Sequence, residues 1–255
     1  MARKMLSNFS FILKTKLKRL GIQKIRLLVR SKYSVELAFQ KEWAEEFKQN
    51  KHKVLEYWRK YRYLDDVNKI CKITKDSTVL DVGCGLSSVL HFVEGKRFGI
   101  DSLADEYLKM YEYPEGITIK KGFGEYLPFP NNYFDVGFCS NALDHVTSPK
   151  KAINEILRVL KNDGHFVLTV EVFKVKRKRD PSHPHSFLLK DVFGLLKSGF
   201  DLRLIGSSEW IGIRRYVKGL TKCKQTELIV IAEKRAKGVR PGFVIRNKCL
   251  SSLIS

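Results

Sequence analysis

The chain is poor in acid. It carries 27 Asp and Glu against 48 Lys and Arg in 255 residues, a formal charge of +21, and has no acidic residue before Glu36. Long apolar runs are missing too. The longest, Leu228–Ala232, has five residues, where a helix crossing a bilayer needs about 20, so the sequence predicts no membrane span. Cysteine is sparse and unpatterned: Cys71, Cys84, Cys139, Cys223 and Cys249 form no C-x-x-C pair. That spacing excludes a disulfide framework and a four-thiolate zinc site, and the residues read as reduced thiols of a cytoplasmic protein. A secretory signal needs an apolar stretch of about 7–15 residues, and Phe9–Leu13 is cut short by Lys14. The first 35 residues hold ten Lys/Arg of which only four are Arg, against the arginine-rich composition of an organellar transit peptide. What the chain does have is 44% hydrophobic residues, including 16 Phe and 10 Tyr. That is ample for a buried core and excludes wholesale disorder.

Four zones differ in composition. Residues 1–32 are basic with apolar residues at spacings of three and four, the pattern of a basic amphipathic helix broken near Gly21. Residues 33–72 contain neither Pro nor Gly and are rich in aromatics (Trp43, Phe47, Tyr57, Trp58, Tyr61, Tyr63), which predicts one or two helices. From 73 to 200, β-rich runs at 78–82, 97–101, 117–120, 134–139 and 165–171 alternate with helical patterns at 87–94, 104–111 and 149–160. That rhythm implies an α/β fold with parallel strands joined by crossover helices. Residues 201–233 end in the apolar strand Leu228–Ala232, and 234–255 form a second basic tail. The expected organisation is a basic and helical segment over 1–72, an α/β domain over 73–233 and a tail over 234–255.

The strongest local signal is Val79-Leu80-Asp81-Val82-Gly83-Cys84-Gly85-Leu86-Ser87. A buried strand runs into a tight glycine turn and then a helix, whose free N–H groups favour an anionic group. Twenty residues beyond Asp81, the second strand ends at Asp101, where a carboxylate can accept from ribose hydroxyls. Gly-x-Gly alone is weak, but its context and the placed acid indicate an adenosine-containing cofactor. In the dinucleotide fingerprint a third small residue follows; here that position is Ser88. Asp81, two residues before the first glycine, would repel a pyrophosphate and suits a ligand bearing an ammonium and a sulfonium. Charge therefore favours S-adenosylmethionine over NAD.

Three further motifs follow in order: Gly122-Phe123-Gly124-Glu125-Tyr126-Leu127-Pro128-Phe129-Pro130, then Tyr133-Phe134-Asp135-Val136-Gly137-Phe138, then Glu155-Ile156-Leu157-Arg158-Val159-Leu160-Lys161-Asn162-Asp163-Gly164. With the glycine turn they resemble the class I S-adenosylmethionine-dependent methyltransferases, most closely methyltransferase type 11, over about residues 77–171 and more loosely over 180–233. The resemblance implies a Rossmann-like sheet, mostly parallel with the last strand antiparallel, and an N-terminal helical extension. That extension, over 33–72, would cover the cofactor cleft as a lid with Tyr57, Trp58 or Tyr61 near the acceptor. Alternatively its aromatics would pack as core against the sheet, the better reading for most of them. The resemblance also implies S-adenosylmethionine as cofactor. Gly83, Cys84 and Gly85 would pass under its methionine part, Asp81 would face its ammonium, Asp101 would bind the ribose and Ser102 would lie beside adenine. Ser140 and Asn141 would border the reactive methyl. The family usually has an acid where Phe123 stands. Adenine would then be held by the Gly124 backbone region, by Glu125 or by stacking.

On the acceptor side, Leu143-Asp144-His145-Val146 follows the fourth strand. His145, beside Asp144, is the candidate general base, and a packing role is the alternative. The loop Asp180-Pro181-Ser182-His183-Pro184-His185-Ser186 would wall the acceptor pocket, with His183 or His185 touching substrate and Ser186 capping a helix over 187–197. Asp180, His183 and His185 are the metal-ligand types present, but no fourth ligand is evident and the sequence assigns no metal.

Positive charge concentrates in 1–32, Lys174–Arg179, Arg214–Lys224 and Lys234–Lys248. It would attract an acceptor with anionic character or, through 1–32, an anionic membrane surface, making the protein peripheral at the membrane. RNA is an alternative, although no RNA-binding module signature is present. A solvated basic face is the third. The expected activity is methyl transfer to a small, lipid-linked or saccharide-type acceptor. An RNA methyltransferase and a non-catalytic scaffold, the latter kept open by Phe123, are the alternatives.

Overall fold

The β-rich runs become a single sheet, and the aromatic segment ahead of them becomes part of its core. The computed structural model describes residues 32–50, 52–59, 61, 63–177, 183–207, 225–236 and 246–248. Three helices come first: α1 (Lys32–Gln49), α2 (Lys53–Arg59) and α3 (Tyr63–Cys71). Then follow β1 (Thr78–Val82), β2 (Lys96–Asp101), α4 (Ala104–Met110), β3 (Ile117–Lys121), β4 (Phe134–Ser140), α5 (Pro149–Val159), β5 (Leu160–Phe173), α6 (Leu189–Leu196), β6 (Phe200–Ser207), β7 (Gln225–Lys234) and β8 (Arg246–Lys248). Among the described residues the strand order is β3-β2-β1-β4-β5-β7-β6-β8. Strands β1 to β5 pair in parallel. β7 runs antiparallel to both β5 and β6, with His165 opposite Glu233 and Phe200 opposite Lys234.

The chain builds outward from β1 to β3, then returns to place β4 on the other side of β1. Ligands in open α/β sheets bind at such a reversal, beyond the carboxyl ends of the strands. Alternation along each strand separates two cores. Leu80, Phe134, Phe166 and Leu168 face α5 and α6, represented by Ile153, Ile156, Val192 and Leu196. Val79, Phe138, Val167 and Ile229 face Trp43, Phe47, Trp58, Tyr61 and Tyr63 of the helical extension. Most of the aromatics over 33–72 are therefore core. The third sequence motif also does structural work. Glu155 accepts from the Leu127 N–H, while Arg158 donates to the carbonyls of Leu127 and Phe129.

Several expectations need correction. The segment 33–72 forms three helices rather than one or two. The helix expected over 87–94 is a single 3-10 turn, Val89–His91. Its backbone groups are taken by side chains from elsewhere, so no helix is needed to satisfy them. Gln40 Oε1 accepts from Leu86 N (2.9 Å), Trp58 Nε1 donates to Ser87 O (2.7 Å), and Arg97 donates to the carbonyls of Leu90 and Val93. Ser186 does not cap α6. Leu188 holds that position and donates its N–H to Asp191, while Ser186 Oγ accepts from Arg177 N. The 234–255 tail contributes β8, parallel to β6. Residues 1–31, Arg214–Lys224 and most of the last basic run lie outside the described residues.

Candidate active site

The glycine turn lies at the sheet reversal because nothing larger fits there. Gly83 has φ +71°, and a Cβ on it would come within 2.3 Å of Ala142 Cβ in the loop after β4. The N–H groups of Gly83 and Cys84 both donate to Ile100 O on β2. Gly85, at φ +55°, donates its N–H to Asp101 Oδ2 (3.0 Å). Asp101 Oδ1 accepts from Leu103 N (2.9 Å) and Tyr107 Oη (3.2 Å). Burial raises the Asp101 carboxyl above its ordinary range, against these backbone hydrogen bonds. Asp101 thus ties the turn to the tip of β2. Each carboxylate oxygen can accept twice, so Oδ2 keeps capacity for a ligand hydroxyl. Ser102, half-buried, follows it. The Cys84 thiol is buried in the core, which holds it protonated.

Beneath the turn sits the site's main electrostatic imbalance. Asp81 is 1% exposed. Its Oδ2 accepts from Ser88 Oγ at 2.7 Å, and its Oδ1 has no hydrogen-bond partner. Burial pushes its carboxyl up to about 6, and the Ser88 hydroxyl opposes that rise. Ser140 Oγ, at the end of β4, is buried and has the Tyr63 phenol as its neighbour. Buried polar atoms are almost always satisfied. A carboxylate oxygen left over at the sheet reversal fits a hydrogen-bond donor carrying positive charge, an ammonium above all. The sequence argument for an anion at a helix start does not hold. No α-helix follows the turn, and the N–H groups of Gly85 and Leu86 are taken by Asp101 and Gln40.

The loop after β3 differs from its predicted role. Glu125 is buried, and its Oε1 accepts from Thr147 N (2.6 Å) and Ser148 N (2.9 Å), just ahead of α5. That oxygen is committed to the fold rather than to adenine. A Cβ on Gly124 would press on Val82 at 3.1 Å, so glycine there is a packing requirement. Phe123 is half exposed and Tyr126 more so. They line a pocket of about 300 Å³ with Glu125, Thr147, Ser148 and Lys151.

The β4 loop and the proline–histidine loop meet. His145 Nε2 lies 3.8 Å from Asp144 Oδ1, too far for a hydrogen bond. The His145 ring packs on His183 with centroids 4.3 Å apart. His185 is spent differently: its Nε2 lies 2.9 Å from Val146 O, its backbone N–H donates to Asp144 O (3.4 Å), and its ring stacks on Phe187. Of the two loop histidines, His183 is the one brought to the Asp144–His145 pair. The sequence grouping of Asp180, His183 and His185 does not form among the described residues, because Asp180 lies outside them and His185 faces Val146. Asn141, at φ +51°, donates from Nδ2 to Glu227 Oε1 on β7 (2.8 Å).

Sequence reasoning missed Gln40, and did not foresee that Trp58 would bond the Ser87 carbonyl. Gln40 is 5% exposed, bonds Leu86 through Oε1 and donates from Nε2 to Glu36. Nothing in its spacing along α1 separates it from an ordinary surface glutamine.

Residues 80–168 match the methyltransferase domain family of type 11. A methyltransferase of uncharacterised activity from Bacillus subtilis, YcgJ, is 31% identical over 134 residues, 45% of this chain and 53% of the relative. A demethylmenaquinone methyltransferase of Symbiobacterium thermophilum is 32% identical over 35% of this chain and 40% of its own length. A sterol 24-C-methyltransferase of Pneumocystis carinii is 32% identical over 44% and 32%. The chain spans about half the length of these curated relatives, or less. Among solved structures, a Bacillus halodurans protein described as a methyltransferase superposes with a TM-score of 0.56 at 18% identity, covering 68% of this chain and 99% of the other. The sequence match falls on the strands that carry the glycine turn, so residues 80–168 are similar to a methyltransferase domain, and the structural likeness shows the same Rossmann-like fold over about two thirds of the chain.

Proposed function

We propose that the chain binds S-adenosylmethionine and methylates a small or lipid-type acceptor. The observation that carries the reading is the unpartnered, buried Oδ1 of Asp81 under the glycine turn, with Ser140 at the end of β4. Together they would hold the cofactor's ammonium, with the ribose at Asp101 and the turn of Gly83 to Gly85 lying beneath. When bound, the cofactor supplies an electrophilic methyl group on a sulfonium sulfur. The remaining work falls to the protein's own groups, which align the acceptor and exclude water.

The acceptor would approach the edge of the buried aromatic cluster of the helical extension. Tyr61 and Tyr57 share a 2.7 Å hydrogen bond between their hydroxyls, and Trp58 and Tyr63 pack around them. Burial raises the Tyr61 and Tyr63 phenols well above their ordinary range, so they remain protonated and neutral. An edge of this kind suits an apolar ring or chain better than a polyanion. The two relatives whose names give an acceptor methylate a quinone precursor and a sterol, which supports the same class. His145 would stand at the acceptor's edge.

The test is incubation of the protein with methyl-labelled S-adenosylmethionine and a total cell extract, followed by separation of organic-soluble, small polar and RNA fractions. Label is expected in the organic-soluble fraction. Label confined to RNA would move the acceptor to the alternative class. Transfer to none of the fractions, with the cofactor bound, would favour a non-catalytic role.

A further inference from the structure

We propose that Asp144, His145 and His183 form a binding site for a divalent transition-metal ion. Each offers one ligand atom, and those atoms all lie within 4.8 Å of one another. Zinc bonds imidazole nitrogen and carboxylate oxygen at about 2.0–2.2 Å, which puts neighbouring ligand atoms about 3.3 Å apart in a tetrahedral site. The present separations, 3.8 Å between His145 Nε2 and Asp144 Oδ1 among them, close to that value by small side-chain rotations.

The arrangement is built rather than incidental. The two histidines come from segments 38 positions apart, and the backbone joins them: His185 N–H donates to Asp144 O, and the His185 ring reaches Val146 O at 2.9 Å. His145 N–H donates to Ala142 O (3.0 Å), fixing the loop that carries two of the three ligands. Asp144 is 5% exposed. Outer contacts of this kind orient ligands and are part of most metal sites.

Ligand type selects the ion. Two imidazoles and one carboxylate suit zinc, cobalt, ferrous iron or manganese, whereas magnesium and calcium prefer oxygen throughout. Three protein ligands leave at least one coordination position open. Two residues earlier in the same loop, Ala142 abuts Gly83 of the glycine turn, so the ion would sit on a loop that borders the glycine turn. An acceptor bearing a hydroxyl or carbonyl oxygen would fill the open position. That last consequence rests on the methyl-transfer reading, and the metal site does not.

The test uses the full-length protein, stripped with chelator and desalted, then titrated with Zn²⁺ against a chromophoric chelator and with Co²⁺ by visible absorption. One equivalent should bind with micromolar or tighter affinity. His145→Ala and His183→Ala should each weaken it by at least about 100-fold, since loss of an outer partner alone costs about 10–100-fold. Both variants should keep the metal-free unfolding midpoint, and His52→Ala, on an exposed position, should change nothing. Absence of a stoichiometric site in the wild type would overturn the proposal. So would an equivalent that survives both histidine replacements, which would place the ion elsewhere. Titrating S-adenosylmethionine into the same stripped protein separates the two readings, because either ligand can fail while the other binds.

Discussion

Replacing Asp81 with Asn should make the unliganded protein no less stable while it weakens the cofactor. Burial raises the Asp81 carboxyl from 3.8 to about 6. At 1.36 kcal/mol per pH unit, that rise of roughly two units costs the folded state about 3 kcal/mol once the group is ionised. The sign follows from proton counts. Between pH 4 and 6 the native state binds more protons at this site than the unfolded chain does. The group's contribution to stability is therefore full below pH 4 and lost as pH rises to about 6. His91 acts in the opposite sense. Burial lowers its imidazole to about 4, so its contribution grows with pH between 4 and 6.5. The wild-type profile mixes the two, but the difference between wild type and Asp81→Asn cancels His91. The bond from Ser88 is already contained in that net cost. The gain expected at pH 8 is therefore up to about 3 kcal/mol, shrinking to near zero at pH 4. Urea unfolding of both proteins at pH 4 and pH 8 measures it. A variant that loses more than about 2 kcal/mol at pH 8, with no change between the two pH values, would mean that Asp81 is a satisfied structural carboxylate.

Other substitutions probe the same region. Gly83→Ala should cost about 2–4 kcal/mol, from left-handed backbone and from the Ala142 clash, seen as a lower Tm. Adding Ala142→Gly should recover the clash but not the backbone part. Gln40→Ala leaves the buried Leu86 N–H without its acceptor and should cost about 1–3 kcal/mol, with faster hydrogen exchange at Leu86. His91→Gln should remove the rise in stability between pH 4 and 6.5, read from the same unfolding curves.

The sheet was legible because its signals are local. β-rich runs gave β1 to β4 to within one residue at each end and the centre of β5, which extends beyond the expected 165–171 to Leu160–Phe173, and the pairing of glycine turn with distal acid placed Asp81, Gly83 and Asp101 together. The 3-10 turn after the glycines was not legible. Its conformation depends on Gln40, Trp58 and Arg97, which lie 46, 29 and 7 positions from the groups they bond, and no window of sequence joins them. The second role of Glu125 was not legible for a related reason: its Oε1 accepts from the backbone of Thr147 and Ser148, 22 and 23 positions away. The histidine cluster needed the two loops in contact. Sequence grouped His183 with its neighbours Asp180 and His185, while the fold groups it with Asp144 and His145.

The most direct test of the account is calorimetric titration of S-adenosylmethionine and S-adenosylhomocysteine into the folded wild-type protein and Asp81→Asn at pH 8. The account predicts one site per chain in the wild type, weakened about 10- to 150-fold by the substitution, the equivalent of 1.5–3 kcal/mol for a hydrogen bond to a charged group. A folded wild type that takes up neither ligand, or binds both as tightly without the Asp81 carboxylate, would contradict it.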